Sequence, residues 1–177
     1  MKRVPAETTV AVLMGGWSAE RAVSLTSGAG IVRALEERGH QLFMAPRQNG
    51  GAGCAACHVP PTFALAANSQ SNGLDAGETR IFKSPSLKNV GLSKFYMHDG
   101  RFSSLAEVIQ FYDSGIQAGP ALDNRLIAAN GAPRRLNLSA TDKAALEAFL
   151  LTLPAEERAR WTPERLGQLW FQGLFTE

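Results

Sequence analysis

Cys54-Ala55-Ala56-Cys57-His58 is the stretch that decides how this 177-residue chain is interpreted. In a C-x-x-C-H pattern, the two thiols are spaced to form thioether bonds to the vinyl groups of a porphyrin, and the adjoining histidine is the proximal iron ligand. The motif therefore predicts one haem c, attached covalently at Cys54 and Cys57, with His58 on the iron. A redox dithiol, a zinc site and two inert thiols are the other interpretations that a C-x-x-C pair allows.

The surroundings of the motif favour haem over these alternatives. A structural zinc site needs two further ligands, but the sequence has no third cysteine and only two other histidines, His40 and His98. A thioredoxin-like pair closes a strand and opens a helix. Here Gly50-Gly51-Ala52-Gly53 precedes the motif and Val59-Pro60-Pro61 follows it.

Composition and charge limit the function classes further. Hydrophobic residues make up 45% of the chain and charged residues 19%, which is typical of a folded domain. A net charge of +2 without a basic run gives no support for nucleic-acid binding. The apolar run Val10–Met14 is far too short for a membrane span or a signal-peptide core, so we expect neither. Thioether attachment is expected outside the cytoplasm. We therefore expect a periplasmic protein if haem is attached, despite the lack of a signal peptide, and a cytoplasmic one otherwise.

Residues 1–47 are predicted to form a small β-α-β fragment. The β-branched, apolar run at 8–14 indicates a buried strand, and the apolar spacing that follows predicts a helix over 18–38, stopped by Gly39. The apolar residues at 41–44 predict a second short strand. Strand, helix, strand is the opening unit of a parallel α/β sheet.

The run Val10-Ala11-Val12-Leu13-Met14-Gly15-Gly16-Trp17-Ser18-Ala19-Glu20-Arg21 resembles the amino terminus of D-alanine–D-alanine ligases, and the resemblance continues to Gly39-His40. It implies that Glu20 is the position that helps to hold the first D-alanine in that family. Ala22 stands where the family has a glutamate, and nothing downstream resembles the ATP-grasp domain. We therefore expect no functional ligase.

The remainder of the chain divides into three predicted segments. Residues 48–53 form a glycine-rich linker, 54–153 a helical c-type cytochrome domain, and 154–177 a C-terminal extension. The extension is predicted to be an amphipathic helix, because its apolar residues follow helical spacing.

Two helix starts stand out within the cytochrome segment. Ser104-Leu105-Ala106-Glu107 is a capping-box pattern, and the helix that it opens is expected to end at Gly115. Ser139-Ala140-Thr141-Asp142 opens a second helix, which Pro154 closes. The fold class is therefore mainly α: a cytochrome c-like helical haem domain, preceded by a small β-α-β fragment and followed by a C-terminal amphipathic helix.

The motifs of the cytochrome segment together resemble the carboxy-terminal haem domain of the bacterial di-haem cytochrome c peroxidase family. Family members carry two haem domains, whereas this sequence has one attachment motif. The resemblance therefore implies that a redox partner protein or a second haem domain completes the electron path. It also implies that the glycine linker replaces the helix that leads into the haem site in the family. The matching segments are 54–58, 72–75, 82–90, 96–102, 107–115 and 136–153.

Two residues compete for the sixth position of the iron. Met97 follows His58 at a distance typical of small cytochromes, where methionine raises the reduction potential. The resemblance points instead to Tyr112, fourteen residues beyond His98. The peroxidases have methionine there, and the related enzyme that matures the tryptophan-derived cofactor of methylamine dehydrogenase has tyrosine. A phenolate would lower the potential, so the ligand decides between electron relay and high-valent oxidation. A vacant or water-filled position, and ordinary packing roles for both side chains, stay open.

His98, Asp99 and Arg101 are candidates for a charged cluster at the haem propionates, with His98 near the cofactor rather than on the iron. A turn stabilised by Asp99 and Gly100 is the alternative. The expected function is one-electron transfer through a single haem c. Peroxidase chemistry that needs a second haem domain is one alternative, and a recombined or artificial chain with no activity is the other.

Overall fold

The computed structural model describes residues 12–16, 19–83 and 85–153. This part of the chain contains three α-helices: α1 (Arg21–Met44), α2 (Leu105–Gln110) and α3 (Ala140–Leu151). Two short strands, β1 (His58–Val59) and β2 (Ala64–Leu65), pair in antiparallel fashion, with His58 opposite Leu65. The expectation of a mainly helical chain is confirmed. None of the described helices combines the length and apolar character needed to cross a membrane.

Helix α1 is longer than the sequence pattern indicates. The predicted stop at Gly39 and the predicted strand at 41–44 are both wrong, because the helix continues to Met44. Gly39 faces α3 so closely that a Cβ there would lie 1.9 Å from the Ala145 carbonyl oxygen. Leu42 and Phe43 are each only 2% exposed. Their burial outweighs the cost of about 1 kcal/mol for a glycine inside a helix.

The predicted β-α-β fragment is therefore not formed. Its second strand is part of α1, and residues 12–16 have no regular structure. Residues 8–11 of the predicted first strand lie outside the described residues, as does the predicted C-terminal helix at 154–177. The capping box at Ser104 and the N-cap at Ser139 are confirmed.

The glycine-rich segment before the attachment motif folds tightly onto the end of α1. The N–H of Ala52 donates to the Leu42 carbonyl at 2.7 Å, and the N–H of Gly53 donates to the Ala45 carbonyl at 3.1 Å. These bonds satisfy two carbonyls that the end of a helix leaves without partners. At Gly51, a Cβ would lie 1.9 Å from the Ala45 oxygen, so only glycine fits. The expected loss of the lead-in helix is wrong, because α1 precedes the glycine-rich segment and its end packs in the same cluster as Cys54.

Two hydrophobic clusters support the site from different sides. The first joins α1, α2 and α3, and Cys54 packs against it. Its aromatic centre consists of Phe43, Phe63 and Phe149, whose ring centroids lie 5.2–6.3 Å apart. Met97 and Tyr112 pack against the second cluster, which is formed by Leu74, Phe111, Ile116 and Leu122. The attachment motif and the two predicted distal ligands thus belong to separate halves of the core.

Candidate haem-attachment site

The two cysteines lie on one tight turn. Cys54–Ala56 form a single 3-10 turn, which follows Gly53 in the left-handed conformation at φ +72°. The Cys57 N–H donates to the Cys54 carbonyl at 3.1 Å. Both cysteines are free, and each residue as a whole is between buried and exposed. The chain therefore presents two reduced thiols on a compact loop, directly before the histidine.

His58 follows this turn as the first residue of β1. Its Nδ1 is buried, and no hydrogen-bond partner for it exists among the described residues. Burial lowers the pKa of His58, and the nearby backbone of Phe63 offsets part of that effect. A neutral imidazole is the form that binds a metal. A buried polar atom without a partner is rare in folded proteins, so this imidazole is a candidate for binding a group that the described residues do not supply.

The electrostatics of the two thiols separate the interpretations of the motif. Burial raises the pKa of Cys54 to about 11, although the positive charge of Arg47 opposes this effect. Burial also raises the pKa of Cys57, with Arg125 opposing it. Zinc sites require thiolates, and reactive redox dithiols have a lowered pKa. A thioether sulfur carries no charge, so a buried environment of this kind is compatible with haem attachment.

The positions of potential metal-binding side chains also give no support for a zinc site at the two cysteines. Within the described ranges, Asp75, Glu78 and His98 form a cluster of potential metal ligands, and their ligand atoms lie within 4.8 Å of one another. It includes neither cysteine. Among the described residues, no such cluster completes a tetrahedral zinc site with the C-x-x-C pair.

An arginine that the sequence analysis missed holds the attachment loop. The Arg125 guanidinium donates to the Ala56 carbonyl at 2.7 Å and to the Ser69 hydroxyl at 2.9 Å. The same guanidinium donates to both carboxylate oxygens of Asp123, at 2.8 and 2.6 Å. Asp123 is 6% exposed in its side chain, and this pairing lowers its pKa to about 2. No local pattern indicates this contact, because Arg125 and Ala56 are 69 positions apart.

Tyr112 lies on an irregular turn beside the motif. Helix α2 continues as a π-helical turn, Phe111–Gly115, so the helical segment ends at Gly115 as expected. Such turns are uncommon in proteins as a whole, and those that do occur are often found at functional sites. Burial raises the pKa of Tyr112 to about 12, and electrostatic interaction with Cys54 and Cys57 adds to this effect.

Asn72 brings the two predicted distal ligands together. Its amide nitrogen lies 3.5 Å from the Met97 sulfur and 3.4 Å from the Tyr112 oxygen, and it donates to both. Met97 has φ +69°, a left-handed backbone conformation that is rare outside glycine. Both candidates are thus on irregular backbone and next to one amide. Which of them binds iron stays a prediction.

His98 and Arg101 are already engaged with protein groups. The His98 ring stacks on Phe82 with ring centroids 3.6 Å apart and planes only 5° from parallel. The Arg101 guanidinium lies 2.6 Å from an Asp99 carboxylate oxygen and 2.9 Å from one of Asp75. Arg101 therefore has two carboxylate partners of its own, and the predicted contact with haem propionates stays a prediction.

Glu20 lies at the amino-terminal end of α1 and is exposed. Its carbonyl accepts a bond from the Ser24 N–H at 3.0 Å, while its side chain does not cap the helix. Its role in the ligase family stays a prediction for this chain.

Comparisons with known proteins agree with both resemblances. The chain is 31% identical over 147 residues to the methylamine utilization protein MauG of Methylorubrum extorquens. This alignment covers 75% of this chain and 38% of that protein. It is 36% identical over 86 residues to the cytochrome-c peroxidase IdrP1 of a Pseudomonas species, covering 49% of this chain and 20% of that protein. A crystal structure of a MauG-like protein associated with microbial copper homeostasis superposes with a TM-score of 0.50 at 29% identity, covering 74% of this chain and 50% of the other.

A separate 33-residue segment is 70% identical to the D-alanine–D-alanine ligase of Novosphingobium aromaticivorans. It covers 19% of this chain and only 10% of the ligase. Two ancestries in one sequence are consistent with a composite chain. The chain spans less than half the length of each of these curated relatives. The family model for di-haem cytochrome c peroxidase matches residues 33–130, and the chain therefore belongs to the di-haem cytochrome c peroxidase family.

Proposed function

We propose that this chain binds one haem c through Cys54 and Cys57, with His58 on the iron, and that it transfers single electrons. Membership of the family supports a haem-based redox function. The observation that carries the proposal is the geometry of the motif, in which Cys54 and Cys57 lie on one tight turn directly before His58, whose buried Nδ1 has no partner among the described residues. Haem supplies the one-electron couple when it is bound. The protein orients the imidazole, shields the two sulfurs and holds the attachment loop through Arg125.

Peroxidase chemistry is the second candidate, and the family assignment favours it. In this version, peroxide would react at a Tyr112-ligated or open iron of this domain, and a partner would supply the second haem domain that the reaction requires. A tyrosine at the position where the family resemblance puts the distal ligand supports the idea, because a phenolate stabilises ferric iron. The two candidates share the attachment site and differ in what reacts with peroxide.

We also propose a revised division of the chain. The expected linker at 48–53 separates a ligase-like fragment at 1–47 from a haem domain that begins at residue 54. The second half of α1, however, packs in the same cluster as α3, and the family match begins at residue 33. We therefore place the start of the haem domain within α1. The ligase-like residues before it are proposed to have no ligase activity, and a haem-loaded chain is proposed to be periplasmic.

Expression with an export leader and a haem-maturation system tests the proposal. We expect a coloured protein whose haem resists acid-acetone extraction and gives a pyridine haemochrome spectrum with one haem per chain. The double variant C54A/C57A should lose covalent haem. H58A should keep thioether-linked haem but lose the proximal ligand, which changes the spectrum of the ferrous form.

Two results would contradict the proposal. A folded wild-type chain that stays colourless under these conditions has no haem c function, and the interpretation of a recombined chain without activity then stands. Steady turnover of peroxide with a reduced donor by the isolated chain would instead identify an enzyme and not a relay. Arg80, an exposed arginine, offers a neutral control position for expression and folding.

A further inference from the structure

Met97 and Tyr112 are two different kinds of iron ligand held next to each other. Asn72 donates to the sulfur of one and the oxygen of the other from a single nitrogen. Both side chains also pack against the same hydrophobic cluster. The two candidate ligand atoms are therefore close neighbours, although the residues are far apart in the sequence.

The backbone at both positions departs from regular structure. Met97 has φ +69°, and a non-glycine residue in this region stores strain of about 1–3 kcal/mol. Tyr112 lies on the π-helical turn Phe111–Gly115. Asp113 in that turn is anchored on both sides, by Lys143 at 2.7 Å and by the Leu138 N–H at 2.8 Å. The fold therefore holds both side chains in place through constraints that ordinary core packing does not require.

The two ligands prefer different oxidation states of iron. A phenolate is a hard, anionic donor that stabilises ferric iron, whereas a thioether is a soft, neutral donor that raises the potential and stabilises ferrous iron. A site that offers both can therefore bind a different one in each state. Asn72 has two amide hydrogens, so it can hold whichever ligand is off the iron.

We propose that Tyr112 and Met97 are alternative sixth ligands of the haem iron, exchanged on reduction, with Asn72 as the residue that positions both. An external one-electron donor reduces ferric iron to ferrous iron. The bond between iron and the Tyr112 oxygen breaks, and that oxygen takes one proton from solvent. A bond then forms between iron and the Met97 sulfur. The reverse step returns the electron to an acceptor and the proton to solvent. This inference rests on the proposed function, since it requires haem at Cys54 and Cys57.

Spectroscopy of the haem-loaded chain in both oxidation states tests the exchange without an activity assay. We expect the ferric form to show a tyrosinate-to-iron charge-transfer band. We expect the ferrous form to show the strongly upfield proton resonance of an iron-bound methionine methyl group. Y112F should lose the charge-transfer band, and M97L should lose the methyl resonance.

The chain provides a matched control for each variant. Tyr96 is the other tyrosine of the sequence, and its hydroxyl donates to the Val90 carbonyl at 3.1 Å. Met44 is a methionine at the end of α1 that is 40% exposed. Y96F and M44L should leave both signals intact. N72L keeps both ligands but removes the donor, so the spectral change after rapid mixing with dithionite should slow by roughly tenfold, the effect of one lost hydrogen bond.

The outcomes separate this inference from the proposed function. Covalent haem with the same sixth ligand in both oxidation states overturns the exchange and leaves the haem assignment intact. An unchanged ferrous spectrum in M97L overturns it as well. An unchanged rate in N72L removes Asn72 from the mechanism. A chain without covalent haem refutes the proposed function itself.

Discussion

Replacement of Gly39 by alanine tests the helix crossing that supports the attachment site. At this position α1 passes so close to α3 that a Cβ would lie 1.9 Å from the Ala145 carbonyl oxygen and 2.7 Å from the Phe149 Cβ. Carbon atoms in contact lie about 3.5–4.0 Å apart, so the helices would have to separate by more than about 1 Å. Leu42 and Phe43, which fill the same cluster, would lose contacts as α1 moves.

Two opposing effects set the size of the change. Alanine gains about 1 kcal/mol of helix propensity over glycine. Overpacking of a core costs about 1–3 kcal/mol, and the upper end applies because the obstacle is a backbone carbonyl that cannot rotate away. The net result is a loss of about 2 kcal/mol in the free energy of unfolding. For a chain of this size, that loss lowers Tm by about 4–8 °C.

Urea denaturation followed by far-UV circular dichroism measures the effect, with G30A as the matched control. Gly30 lies on the same helix, is exposed, and has nothing within 4 Å of its added Cβ. G30A should therefore be more stable than the wild type by up to about 1 kcal/mol. If G39A proves as stable as G30A, α1 does not cross α3 at this residue, and the packing described above is wrong.

Three further predictions concern the loop anchor and a helix cap. R125Q removes the hydrogen bond to the Ala56 carbonyl and leaves the buried Asp123 carboxylate without its cation. Urea denaturation should therefore show a loss of about 2 kcal/mol in the free energy of unfolding. R125K should lose less stability, because lysine keeps the positive charge. The folded-state pKa of Asp123, about 2, lies below its ordinary value of 3.8. Its contribution of about 2 kcal/mol is therefore fully present above pH 4 and is lost as the pH falls towards 2. Denaturation at stepped pH values should show this loss in the wild type and a much weaker one in R125Q. S104A removes the N-cap of α2 and should lower the free energy of unfolding by about 1 kcal/mol in the same assay. S104T should retain most of the stability, because threonine also caps helices.

Local sequence patterns predicted the features that depend on neighbouring residues. The capping box at Ser104 and the cap at Ser139 were read correctly, because their partners lie within one helical turn. The C-x-x-C-H motif was recognised for the same reason. Both family resemblances are confirmed, since the motifs that carry them are contiguous segments.

The wrong predictions for α1, a stop at Gly39 and a strand at 41–44, share a physical cause. Gly39 was expected to stop a helix, because glycine disfavours helices and follows many of them. Only the approach of Ala145, more than a hundred positions away in the chain, explains why glycine is needed inside α1. The apolar run at 41–44 was predicted to be a strand, because a short apolar run fits a strand as well as a helix. In the structure it forms the last turn of α1.

By itself, the sequence determined the family and the capped helix starts and predicted the haem-attachment chemistry, because each of these depends on a few consecutive residues. Only the tertiary structure decided the length of α1, the anchoring of the attachment loop by Arg125, and the meeting of Met97 and Tyr112 at Asn72. These features join positions that are distant in the chain. Close packing and hydrogen bonding across the fold, rather than local propensity, fix such contacts.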